Sequence, residues 1–206
     1  MDPITLSMAL VDFIPVILCA VVMLFQIRIF RTRMQPFFHI LFILGAFLLV
    51  AGGTLKALWK LLLALKIGDY QLLSDQFLPV SGTAFVLLAI AAICMVTGTK
   101  RSEKQFAFMA ASRIPFIAMM FFGMTGWYMS LAVLSFRLKK KGAGGLFIAA
   151  WIIMSGTSVL SAKFDNGQSI MHWVAEGANI LVQILLLSGT SAIHKALVEQ
   201  DMPCNP

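Results

Sequence analysis

The 206-residue chain is 60% hydrophobic and only 12% charged, with a formal net charge of +7 and a mean hydropathy of +0.90. A soluble domain holds nearer half apolar and a quarter charged residues, and a 22.6 kDa globule has no interior large enough to hide the excess. Composition therefore excludes a soluble enzyme, a disordered tail, a coiled coil and a disulfide scaffold. It leaves an all-α integral membrane protein in which residues 1–206 form a single membrane domain with no soluble domain.

Six apolar segments follow one another, each near the roughly 20 residues that cross about 30 Å of hydrocarbon. They run Ala9–Phe30, Ile40–Leu65, Phe77–Thr99, Ile114–Phe136, Gly145–Lys163 and Ile170–Ile193. The expected architecture is a compact bundle of six transmembrane helices, with alternating directions and both termini on one face. The first segment reads as a retained span rather than a cleaved leader, because Asp2 precedes it and no basic stretch does.

The breaks between segments carry the charge. Arg28, Arg31 and Arg33 follow the first span; Lys100, Arg101 and Lys104 follow the third; Lys139, Lys140 and Lys141 follow the fourth. A pI near 9.6 in a soluble chain would suggest nucleic acid. Here the basic residues flank spans and face lipid head groups, so the expected partner is the bilayer and not nucleic acid. With alternating spans the Lys and Arg residues divide eight to six between the two faces, a weak asymmetry. The first span dominates orientation as a rule, which places both termini outside, in a plasma or inner membrane. Cys19, Cys94 and Cys204 are scattered and form no metal or disulfide spacing.

Echoes between the halves suggest two inverted three-helix repeats, residues 9–99 and 113–194. Ile14-Pro15 answers Ile114-Pro115, Gly52-Gly53-Thr54 answers Gly156-Thr157-Ser158, and Thr97-Gly98-Thr99 answers Ser188-Gly189-Thr190. Inverted repeats are a common plan of secondary transporters.

The sixth segment holds the densest polar pattern. His172, Glu176, Asn179, Gln183, Thr190 and His194 fall within about 60° of one another on a helix. Lipid-facing amides and a carboxylate are costly, so this stripe faces other helices or water. It reads as the wall of a polar cavity; the competing reading is hydrogen-bond glue between helices. In the second segment Lys56 lies deep and reads as a binding or counter-charge residue, whereas Lys60 is close enough to the interface to snorkel. Asp12 falls on the Lys56 side of the membrane. Alternation places Glu176 on the other side, about 15 Å from Lys56 along the normal, with Arg28 and Arg113 as its expected partners. Asp12, mid-span Trp127 and Tyr128, and the hydroxyls of Ser155 and Ser158, are candidate pocket-lining groups.

Enzyme signatures are missing from the sequence: there is no HExxH, GxSxG, P-loop or paired carboxylates on one helix. No catalytic residue, metal ligand or cofactor is expected. The reading is a transporter or channel moving a small polar solute or ion through a polar cavity, with Lys56 and the stripe lining the path. Its rival is a non-transporting membrane module: a sensor, a solute-binding subunit or an assembly subunit. A homo-oligomer or a membrane partner subunit is compatible with both.

Overall fold

The computed structural model describes residues 5–98, 116–163 and 169–201, and within them every regular element is a helix. Helix α1 is Leu6–Val11, capped by Thr5, whose Oγ1 accepts from the Met8 amide. One residue, Asp12, separates it from α2, Phe13–Phe30. Pro15 accounts for the break. It has no N–H to give to the Val11 carbonyl, and its ring crowds that carbonyl. α3 is Pro36–Ala64 and opens with proline at its first position, where the missing N–H costs nothing. Short α4 is Gln71–Asp75, and α5 is Phe77–Thr97, closed by Gly98 in the left-handed region, whose amide bonds the Cys94 carbonyl. α6 is Phe116–Arg137, α7 is Lys141–Lys163 and α8 is Ser169–Asp201.

The described parts of the apolar segments are helical, the first divided between α1 and α2, and among the described residues five stretches are long and apolar enough to cross a membrane: Leu6–Phe30, Pro36–Ala64, Gln71–Thr97, Ala118–Arg137 and His172–Gln200. The outer surface is studded with large apolar side chains such as Ile17, Phe47 and Phe122, each more than 60% exposed. A soluble protein does not present such a surface, whereas contact with lipid accommodates it. Inside, Trp127, Phe30, Phe42, Phe147, Leu88 and Leu131 are fully buried.

Helix directions correct the alternating plan. α3 and α5 are antiparallel: Gly45 packs on Ala84 and Leu88, and Gly52 on Val80 and Ser81. α5 and α6, in contrast, run parallel. Gly82 meets Phe116, Gly123 meets Phe85 and Val86, Gly126 meets Ala89, and the Arg137 guanidinium donates to the Val96 carbonyl. α5 therefore finishes at one end of the bundle and α6 begins at the other. α7 returns antiparallel to α6, with Gly144 on Phe136 and Trp151 Nε1 donating to Thr125 Oγ1 at 3.0 Å. α8 returns against α7, with Gly189 on Phe147.

Two consequences follow. The first is that α8 is parallel to α2 rather than opposed to it: Gln26 bonds Thr190, and the Phe25 ring stacks edge-on against His194 at 5.4 Å. The chain's first and last described helices thus start at the same end, and Leu6 and Asp201 lie at opposite ends, not on one face. The second concerns the halves. The leading helices of the two, α2 and α6, run in the same direction, which is not the relation that inversion requires. Hydropathy marks where a helix lies but carries no sign along its axis, so sequence alone could not exclude a parallel α5–α6 pair.

Candidate functional site

At the Leu6 end of the bundle three ionisable side chains meet in the interior. Asp12 stands at the proline-made break between α1 and α2, Lys60 sits four residues before the end of α3, and Glu176 lies in the second turn of α8. All three are at least nine-tenths buried. The Lys60 ammonium pairs with Asp12 Oδ2 on one side and with Glu176 Oε1 at 3.3 Å on the other. Asn179, three residues along α8, donates from Nδ2 to Glu176 Oε2 at 3.4 Å. Asp12 Oδ1 is buried and has no hydrogen-bond partner among the described residues.

Helix geometry explains the meeting. Because α8 is parallel to α2, its early turns and Asp12 share a depth. α3 runs the other way, so its late turns reach the same level. This overturns the expected placement of Glu176 on the side of the membrane opposite Asp12 and Lys56. Glu176 is partnered by Lys60, not by Arg28, which lies at the far end of α2; Arg113 lies outside the described residues. Lys60 also does not snorkel outward: only 5% of it is exposed.

Lys56 is one turn earlier on α3 and makes a different contact, its ammonium resting 4.4 Å from the centroid of the Phe77 ring of α5. The two lysines, one turn apart on α3, thus have different surroundings: an aromatic ring for Lys56 and two carboxylates for Lys60.

The polar stripe of α8 continues inward from this cluster. His172 is partly exposed, one turn before Glu176. Asn179 and Gln183 are partly buried, and Gln183 Oε1 is buried with no hydrogen-bond partner among the described residues. Thr190 is fully buried and its Oγ1 accepts from Gln26 Nε2 at 3.0 Å. Gln26 is itself fully buried, and its Oε1 has no partner among the described residues. Sequence reasoning missed Gln26, which lies two residues from Arg28 near the end of the first apolar run. An amide inside an otherwise apolar run was the available signal.

The remaining candidates are dispersed. Trp127 and Tyr128 are buried in the core, the indole 6.0 Å from the Phe85 ring and 5.1 Å from the Tyr128 ring. Trp127 Nε1 has no hydrogen-bond partner among the described residues. The same holds for Ser155 Oγ on α7. The Ser158 side chain lies outside the described ones.

The arrangement is expensive as packing alone. A buried ion pair recovers little more than its desolvation cost, and well-packed apolar residues of similar volume often serve stability as well. No protein-family model, curated protein or solved structure matches the chain.

Proposed function

We propose that the chain is a multi-pass membrane carrier that moves a small polar solute or ion between its helices, and that Asp12, Lys60 and Glu176 are the charged element of its path. In this reading α7, Lys141–Lys163, also spans, beside the five stretches already long and apolar enough to cross. One observation carries the proposal. Ionisable groups from three separate helix regions, each within a stretch fit to span a membrane, converge in the interior and leave one carboxylate oxygen without a partner. Intramembrane ionisable residues mark solute paths and proton relays far more often than they serve packing.

The polar groups beyond the cluster support the same reading. Glu176 and Thr190 are fourteen residues apart on α8, about 21 Å along the axis. Asn179 and Gln183 lie between them, and Gln26 faces the inner end. A solute leaving the cluster would meet amide and hydroxyl groups rather than bare hydrocarbon. Lys60 bridges the first and last spans through α3, so loosening either carboxylate would let those spans part at the Leu6 end. Lys56, held on an aromatic face one turn away, is the second cation available to the carboxylates. The reading contains no chemical step and no cofactor.

The test is flux into proteoliposomes, measured for H⁺, Na⁺, K⁺, ammonium, a zwitterionic amino acid and a neutral sugar. The parent should carry at least one of these faster than empty liposomes. Glu176→Gln should abolish or alter that flux while the protein stays folded in a thermal scan. A parent no faster than empty liposomes with every probe would contradict transport and favour a sensing, binding or assembly module. A variant that loses stability but keeps its specific flux would make Glu176 structural.

A further inference from the structure

The parallel packing of α5 and α6 rearranges the surface charge. Arg28, Arg31 and Arg33 lie at and just beyond the end of α2. With α6 parallel to α5, and α2 likewise antiparallel to α3, the α6–α7 turn falls at this same end, bringing Arg137, Lys139, Lys140 and Lys141 with it. The C-terminal part of α8 also ends here, as the Lys140–Glu199 pair at 2.9 Å and the Phe25–His194 contact show, and it adds Lys195. Against these eight basic residues stand Glu199 and Asp201, and Glu199 is already engaged by Lys140.

The Leu6 end is different. Lys66, just past the close of α3, and Lys163, the last residue of α7, are matched in number by Asp69 and Asp75 of the α3–α5 connection. Its rim is amphipathic rather than basic: Ile67, Tyr70 and Leu72 are more than half exposed, and Trp59 Nε1 donates to Asp69 Oδ1 at 3.0 Å. Aromatic residues with a polar tip favour the head-group level. The near-even division of charge expected from alternating spans thus becomes, over the described residues, one strongly basic end and one balanced end.

We infer that the basic end, marked by Arg31 and Lys139, is the cytoplasmic face and rests against anionic lipid head groups, with Leu6 and the Asp12–Lys60–Glu176 cluster toward the opposite leaflet. Short loops rich in Lys and Arg stay on the cytoplasmic side during insertion. The negative surface potential of the cytoplasmic leaflet then attracts the same side chains. Most of them point outward and are available to do this: Arg28, Arg31, Arg137, Lys139, Lys141 and Lys195 are exposed. Leu6 then lies on the outer side and Asp201 on the inner side. This inference needs the helices to span a bilayer but does not depend on what, if anything, they carry.

The experiment is sided cysteine labelling in intact cells. Cys19, Cys94 and Cys204 are replaced by alanine, and single cysteines are placed by Ser7→Cys or Val198→Cys, both at exposed positions. A membrane-impermeant maleimide should label the Ser7→Cys protein in intact cells and the Val198→Cys protein only after permeabilisation. The reverse pattern would keep the helix directions and overturn the orientation. Labelling of both from one side would overturn the directions on which the inference stands. A second arm adds Lys139→Gln, Lys140→Gln and Lys141→Gln to the Val198→Cys protein. A fraction of molecules should then label from outside; an undivided inside population would overturn the role given to these lysines.

Discussion

Lys60 of α3 and Glu176 of α8 are 116 residues apart in sequence and 3.3 Å apart in space. Their contact, with Asp12 on the far side of the same ammonium, ties the beginning and the end of the chain to its second span. Three elements distant in sequence are held at one depth by charge rather than by apolar fit alone.

Removing only the cation should therefore be severe. Lys60→Met leaves two buried carboxylates facing each other and should cost about 3–5 kcal/mol, the usual penalty for an uncompensated buried charge. Adding Asp12→Asn and Glu176→Gln removes both stranded charges. The triple variant should regain most of the parent's stability, because a neutral cluster carries no such penalty. Thermal unfolding in detergent, read by circular dichroism, checks both outcomes.

Lys56 should behave differently from Lys60, although both sit on the same face of α3. Its contact is the Phe77 ring, and an ammonium over an aromatic face is worth about 0.5–2 kcal/mol. Lys56→Met and Phe77→Leu should each lower stability by no more than that. Their effects should be less than additive in the double variant, since each removes the same interaction. Full additivity in the unfolding midpoints would dissolve the pair.

Gly123 carries the parallel packing of α5 and α6. A Cβ there would lie 2.7 Å from the backbone of Phe85 and Val86, so the helices approach only because it is absent. Gly123→Ala should push them apart and destabilise by about 1–3 kcal/mol, as overpacking does. Gly145 on α7 has open space beside it. Gly145→Ala should be neutral or stabilising by up to about 1 kcal/mol, through helix propensity alone. Equal effects of the two in a thermal scan would show that the close approach is not formed.

Gln26→Leu separates glue from path. Hydrogen bonds between membrane helices average about 0.6 kcal/mol, so loss of the Gln26–Thr190 bond should barely change stability. On the carrier reading it should slow flux by tenfold or more. Unchanged flux with unchanged folding would take Gln26 off the path.

Much of the fold was legible in residue order. The described parts of the apolar runs are helical, five stretches are long and apolar enough to span, and the side of α8 bearing Glu176 and Thr190 does face inward. Directions were not legible, because an apolar run looks the same read from either membrane face. The error at the cluster followed directly from this: with α8 reversed, Glu176 moved to the wrong side and its partner was sought among arginines. Lys60 was misjudged for a related reason. A lysine four residues from a helix end ordinarily reaches water, and only the neighbouring α8 shows why this one turns inward. The Asp12 break was written in Pro15, whose missing N–H frees the Val11 carbonyl, but that its turn faces a lysine of α3 depends on tertiary packing.

The most direct measurement is the flux of the charge-neutral variant, Asp12→Asn with Lys60→Met and Glu176→Gln, beside the parent in liposomes of the same composition. Because this variant should fold like the parent, stability and function are separated within a single protein. The carrier account predicts a folded protein whose flux is indistinguishable from empty liposomes for every ion and solute that the parent moves. A folded variant that retains the parent's flux would contradict it and reduce the cluster to a means of holding the helices together.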